Sequence, residues 1–208
     1  MPAPGASEYA RANKAAAWTL LSRIYLNAQV YTGTAQYDQA IVYANLVLNN
    51  GTYSLHDSYA GLFLADNDLA KDEIIMPIAS SGANSRSYGD VTFIIHAGVG
   101  GSMDAAVDYG IASGGWGGNR MTTAFVNTQF PDPSGATDKR AIFHTAGQTL
   151  VITHPTVFTE GYLCAKWKNI TSTGAIGGNS TFVETDFPLF RLSEIYLIYA
   201  EAGGVPAV

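Results

Sequence analysis

The residues best suited to recognition chemistry lie in Gly114-Gly115-Trp116-Gly117-Gly118-Asn119-Arg120. Four glycines leave the tryptophan without bulky neighbours, so its ring can present a face. An aromatic face stacks on a sugar ring, and Asn119 and Arg120 supply hydrogen bonds to hydroxyls. The alternative is a tryptophan that folds back and plugs its own loop; residue types alone leave both readings open. Asp66-Asn67-Asp68 is a second oxygen-rich cluster, of the kind that suits a hard cation. Ala70 stands where a third ligand would fall, and the sixth position lacks glycine, so this is no EF-hand loop. A plain Asx turn is the simpler reading.

Catalytic patterns fail one by one. Gly98-Val99-Gly100-Gly101-Ser102-Met103 lacks the third glycine of a dinucleotide loop, and no Lys-Ser/Thr follows Gly114 to Gly118. Ser102 is not in a G-x-S-x-G elbow. His56, His96, His144 and His154 are not paired at i, i+4 and read as packing or turn residues. Asp104 with Asp108, or Glu184 with Asp186, supply the two carboxylates that glycoside hydrolysis needs. With 17 acidic residues in the chain such pairs arise anyway. A hydrolase with an unrecognised carboxylate pair is thus the alternative function. Cys164 is the only cysteine, which excludes an intramolecular disulfide and a Cys-based zinc site.

These residues need elements to hold them. Ala17, Leu20, Leu21, Ile24 and Ala28 share a helical face, so a helix is expected over 7–28. A short polar loop follows over 30–35, then a helix from Tyr37 to Asn49 with Ala40, Ile41, Ala44, Val47 and Leu48 on its stripe and Gly51 as the stop. The two make a helical hairpin over 7–50, about the length of a tetratricopeptide unit. Residues 52–187 are glycine-rich, with Glu73 to Ile78 and Val91 to His96 reading as strands and Thr122 to Phe130 as a helix. Leu192, Ile195, Tyr196, Tyr199 and Ala200 start a further helical repeat over 188–202. Its apolar face is expected to lack part of its cover. The fold class is therefore mainly α: tetratricopeptide-like helical hairpins packed with a loop-rich region containing short strands.

Composition narrows the ligand. Of 208 residues, 47% are hydrophobic and only 13% charged, about half the usual charged share. The net charge is −6 with no Lys/Arg run, which argues against nucleic acid and anionic membranes. A neutral ligand such as a sugar fits better. The first five residues do not read as a secretory leader, and no stretch approaches a spanning helix.

Four stretches together resemble the SusD/RagB family of surface glycan-binding lipoproteins. They are Ala16-Ala17-Trp18 through Ala28 with Asn50-Gly51-Thr52-Tyr53; Leu62-Phe63-Leu64-Ala65-Asp66-Asn67-Asp68 with Asp72-Glu73-Ile74-Ile75-Met76-Pro77-Ile78; Gly115-Trp116-Gly117-Gly118-Asn119-Arg120; and Pro188-Leu189-Phe190-Arg191-Leu192-Ser193-Glu194-Ile195-Tyr196 through Ala202. The likeness is greatest to the starch-binding branch and covers the middle of the family's pattern. It implies a single partial domain over 1–208 and no catalysis. It implies capture of polysaccharide, such as starch, at the outer-membrane surface and delivery to a SusC-like TonB-dependent transporter. It places Trp116 and Tyr88 in an aromatic arc, and suggests calcium near Asp66 and Asp68 with further ligands beyond Val208. The lipidated cysteine and later helices of the pattern fall outside the match.

Overall fold

Asn13 decides where the first helix begins. Its side chain accepts a hydrogen bond from Ala16 N at 3.2 Å, satisfying one of the amides that a helix start leaves unpaired. Helix α1 therefore runs Lys14–Leu26, a correction to the expected start at Ser7. Ala10, with φ 59°, occupies a left-handed conformation that helix interiors do not use. A five-residue helix, α2 (Ala28–Thr32), lies where a loop was expected and ends on Gly33. Helix α3 (Tyr37–Leu48) follows as its spacing predicts. The structure is a computed structural model describing residues 1–203; the last five residues lie outside the described ones.

The buried face of α1 is not the large-residue stripe. Leu20 and Ile24 are exposed, while Ala15, Ala16, Thr19 and Ser22 are buried. Small side chains let α1 and α3 approach closely: Ser22 Oγ donates to the Ala40 carbonyl at 2.9 Å. Beside it, Tyr25 stacks on Tyr43, centroids 5.5 Å apart. Helix α7 (Leu192–Glu201) completes this core, adding Leu192, Ile195 and Ile198 to Ala40, Ala44 and Val47. Ile195 is fully buried, contrary to the expectation that it lacks cover, whereas Tyr196 and Leu197 are exposed. Arg23 donates to both carboxylate oxygens of Glu194 at 2.7 Å, a bidentate pair with fixed geometry.

Strand β1 (Ile74–Ile78) forms as predicted. It pairs with the strand Phe187–Arg191, the fourth in chain order. The buried Glu73 carboxylate accepts from Arg191 Nη1 and from His56 N, each at 2.9 Å. These elements make one compact unit of residues 1–57, 70–78 and 188–203. Residues 52–57 and 70–78, inside the stretch expected to be loop-rich, thus fold with the helices.

The second unit comprises residues 58–69 and 79–187. Its central element corrects another expectation: Val91 to His96 is not a strand but part of helix α4 (Asp90–Gly98). A strand would alternate its faces. Instead Val91, Thr92, Ile95 and His96 are buried while Phe93 is exposed, a spacing only a helix gives. Val91, Ile95 and Val99 pack with Tyr109, Ile111, Ala165 and Val183. Around them lie α5 (Ala105–Tyr109) and α6 (Thr123–Gln129), the latter the helix expected over 122–130, with Thr122 as its cap. Strands β2 (Phe143–His144) and β3 (Leu163–Cys164) pair antiparallel. Two buried asparagines fasten the loops. Asn169 Nδ2 donates to Gly110 O and Asn179 O, and Asn67 bonds Leu62 O and both backbone polar atoms of Asp186. Each replaces the ladder hydrogen bonds that irregular backbone forgoes.

Candidate functional site

The glycine-rich loop is docked on the end of α4. Trp116 N donates to His96 O at 2.7 Å, Gly117 N to Val99 O at 2.9 Å and Asn119 N to Ala97 O at 3.0 Å. The last carbonyls of a helix have no partner within it, and this loop supplies them. The glycines make the docking possible. A Cβ on Gly115 would stand 2.0 Å from Val99 O, and Gly114, Gly117 and Gly118 have φ of 83°, 67° and 107°, open to glycine at little cost.

Held this way, Trp116 rests its indole on the buried His96 ring, centroids 4.8 Å apart and 25° from parallel. Tyr88 at 6.1 Å and Phe93 at 6.0 Å flank it, tilted by 48° and 57°. Phe182 lies 5.1 Å from Tyr88 and continues the group. Trp116 is 45% exposed, Tyr88 62% and Phe93 50%. Three adjacent, half-exposed rings form an apolar platform. Sequence reasoning found Trp116 and Tyr88 but not Phe93 or Phe182. Reading 91–96 as a helix would have put Phe93 one turn from His96 and beside the loop.

Asn119 is exposed next to this platform. Arg120 is turned to another task. Its guanidinium donates to Val157 O at 2.8 Å, Glu160 O at 2.7 Å and Pro155 O at 2.7 Å, over the Phe158 ring. Three bonds to carbonyls make it a brace for the 155–160 loop.

The acidic candidates are engaged in local structure. Asp66 accepts from Ser172 N at 2.8 Å and Ser172 Oγ at 2.6 Å. Asn67 points into the interior, and Asp68 is exposed in a single 3-10 turn, Asn67–Leu69. Calcium takes six to eight oxygens, and among the described residues no three His, Cys, Asp or Glu side chains gather to hold a metal. The residues on hand do not fit a calcium cage. Asp104 caps α5 by accepting from Val107 N; Glu184 accepts from Gly178 N and Asp186 from Ser80 N, both at 2.7 Å. Ser102 Oγ lies 2.9 Å from His144 Nε2, 3.1 Å from Gln148 Oε1 and within hydrogen-bond reach of the Ala146 carbonyl, a cluster that ties two loops together. A cleft of about 440 Å³ in the helical unit, lined by Tyr9, Arg11, Tyr53 and Lys71 among others, is separate from these residues. No helix among the described residues is long and apolar enough to cross a membrane.

Comparison with known proteins gives one consistent answer. The SusD family model matches residues 153–203. The starch-binding protein SusD of Bacteroides thetaiotaomicron is 32% identical over 96% of this chain and 43% of its own length. A SusD superfamily protein from Parabacteroides distasonis superposes with a TM-score of 0.64 at 20% identity, covering 94% of this chain and 41% of that one. A laminarin-binding SusD-like protein superposes with a TM-score of 0.60 at 21% identity, covering 95% and 45%. The chain thus spans about two fifths of the length of the relatives it matches.

Proposed function

The chain belongs to the SusD family, and from that premise we propose that it serves non-catalytic capture of polysaccharide, with an α-glucan such as starch as the ligand. The observation that carries this reading is the exposed platform of Trp116, Tyr88 and Phe93. Sugar rings offer apolar C–H faces to aromatic rings, and hydroxyls to neighbours such as Asn119. The platform carries no formal charge, which suits a neutral glycan. The starch-binding relative supports an α-glucan over other polymers. Of the carboxylates weighed for hydrolysis, Asp104 serves as a helix cap and Glu184 and Asp186 as loop ties, and no specific observation favours catalysis. By the family's pattern the protein works at the outer-membrane surface and delivers glycan to a SusC-like TonB-dependent transporter. Helices α1, α3 and α7 supply its tetratricopeptide-like scaffold.

A few buried aromatic anchors dominate most recognition surfaces. Trp116→Ala should therefore weaken α-glucan binding by about 2 kcal/mol or more, the hot-spot threshold. Tyr88→Ala should act in the same direction but less. The measurement is retardation in starch-containing native gels, with laminarin gels beside them. Unchanged retardation of Trp116→Ala would remove the platform assignment. Retardation in laminarin alone would keep the platform and replace the α-glucan.

A further inference from the structure

Three segments of backbone carry or flank the platform: α4 and the residues leading into it, with Phe93 and Tyr88; the glycine loop, with Trp116; and the stretch around Thr181 and Phe182, which packs on Tyr88. One side chain touches all three. His96 is 1% exposed. Its Nδ1 lies 3.0 Å from the Gly114 carbonyl and its Nε2 2.9 Å from the Thr181 carbonyl, and its ring stacks on Trp116. We propose that His96 is the positioning residue of the glycan-binding face, fixing the height and tilt of Trp116. The inference rests on the glycan-binding reading above and adds how that site is kept rigid.

The chemistry of the position favours this role over simple packing. Its helix neighbours Val91, Ile95 and Val99 belong to an apolar cluster, where an aliphatic side chain would need no polar partners. A buried imidazole costs free energy unless it is hydrogen-bonded. Here its nitrogens face backbone carbonyls of two other segments, not of its own helix. An imidazole has one N–H when neutral and two when protonated, so in either state it ties at least one of those segments to α4. The carbonyl of His96 also accepts the Trp116 N–H. Loop and ring are thus held by the same residue, through backbone and side chain together. A loop with four glycines has much conformational freedom to lose. Ordering it before the ligand arrives removes that cost from binding. Thr181 is followed by Phe182, which packs on Tyr88, so the second bond carries the same restraint to the other side of the platform.

The test uses the full chain labelled with 5-fluorotryptophan. Its three tryptophans, Trp18, Trp116 and Trp167, give one fluorine resonance each, assigned by Trp→Phe variants. His96→Phe keeps ring and volume but neither donor; His96→Asn and His96→Gln each place an amide donor near one of the two nitrogen positions. His96→Phe is expected to shift or broaden the Trp116 resonance, leave Trp18 and Trp167 in place, and weaken retardation in starch gels about tenfold. One of the two amide variants should recover part of both signals. The proposal is overturned if Trp116 is unmoved in all three variants, or if all three tryptophan resonances change together in each, which marks a core residue only. If wild type shows no retardation and Trp116→Ala matches it, the glycan reading fails. The fluorine resonances still decide whether His96 positions the ring.

Discussion

At the scale of single residues, the loop arginine shows how a polar side chain beside a recognition surface can belong to the scaffold. Arg120 donates to three carbonyls, 35 to 40 residues on in the chain. Its sequence neighbours give no hint of this, since backbone acceptors carry no residue-type signature. A hydrogen bond from a charged group is worth about 1.5–3 kcal/mol. Arg120→Ala should lower unfolding stability by about 2 kcal/mol in urea titration, with Arg120→Lys recovering little because it lacks the planar fork. Unchanged stability would mean that these three bonds do not brace the loop. The same loop holds an acid–base clasp. Glu160 is drawn down from 4.5 to about 2 by hydrogen bonds from His154 first and Thr153 after it. A depressed carboxylate contributes stability above its unfolded value and loses it as pH falls through the folded one. The stabilisation that this carboxylate gives the 153–160 loop should therefore be complete above pH 4.5 and lost between there and about 2. An NMR titration of the Glu160 carboxyl checks this; a midpoint near the ordinary 4.5 would refute the clasp.

At the scale of elements, periodicity served well where one side of a helix is plainly larger than the other. Helices α3, α6 and α7 and strand β1 were legible that way. It misled at α1, because both of its faces are apolar and the smaller one is inside. Close helix approach selects Ala and Ser over Leu, a preference that a hydrophobicity pattern reads backwards. The consequence can be measured. Ala44 is fully buried and Leu20 is 45% exposed. Ala44→Leu should cost about 1–3 kcal/mol by overpacking, whereas Leu20→Gln should stay within about 0.5 kcal/mol. Thermal unfolding of the two variants decides it, and the reverse order would restore the large-residue stripe as the core. At α4 the run Val91-Thr92-Phe93-Ile94-Ile95-His96 suits a strand by local preference. Tertiary burial overrides that preference, and the misreading hid Phe93 from the candidate site.

At the scale of the whole molecule, the low charge and the glycine-rich middle pointed to an uncharged surface carried on loops; Trp116 stands on such a loop and Phe93 on α4. The division into two units was not legible, because 70–78 leave the loop region to join the helices and nothing in their composition marks the crossing. The same scale governs the metal expectation. Asp66 and Asn67 are placed by partners elsewhere in the second unit, Asp68 is exposed, and no third carboxylate joins them among the described residues. Calorimetry on this chain should show no calcium binding tighter than millimolar. Micromolar binding would mean that six or more oxygens do gather around the ion.

The first unit is assembled from the two ends of the chain and one short strand between them, and this bears on how it is made. Helices α1 and α3 are neighbours in sequence and can meet within microseconds of synthesis. Their shared core stays open, however, until Phe190, Leu192, Ile195 and Ile198 have left the ribosome, because these belong to the same cluster. At about 5–20 residues per second, the exposed Ala40, Ala44 and Val47 face must wait many seconds for a partner about 150 positions downstream. During that interval the second unit, which ends at Phe187, can already be complete. Closure of the first unit's core therefore follows synthesis of the second unit's loops.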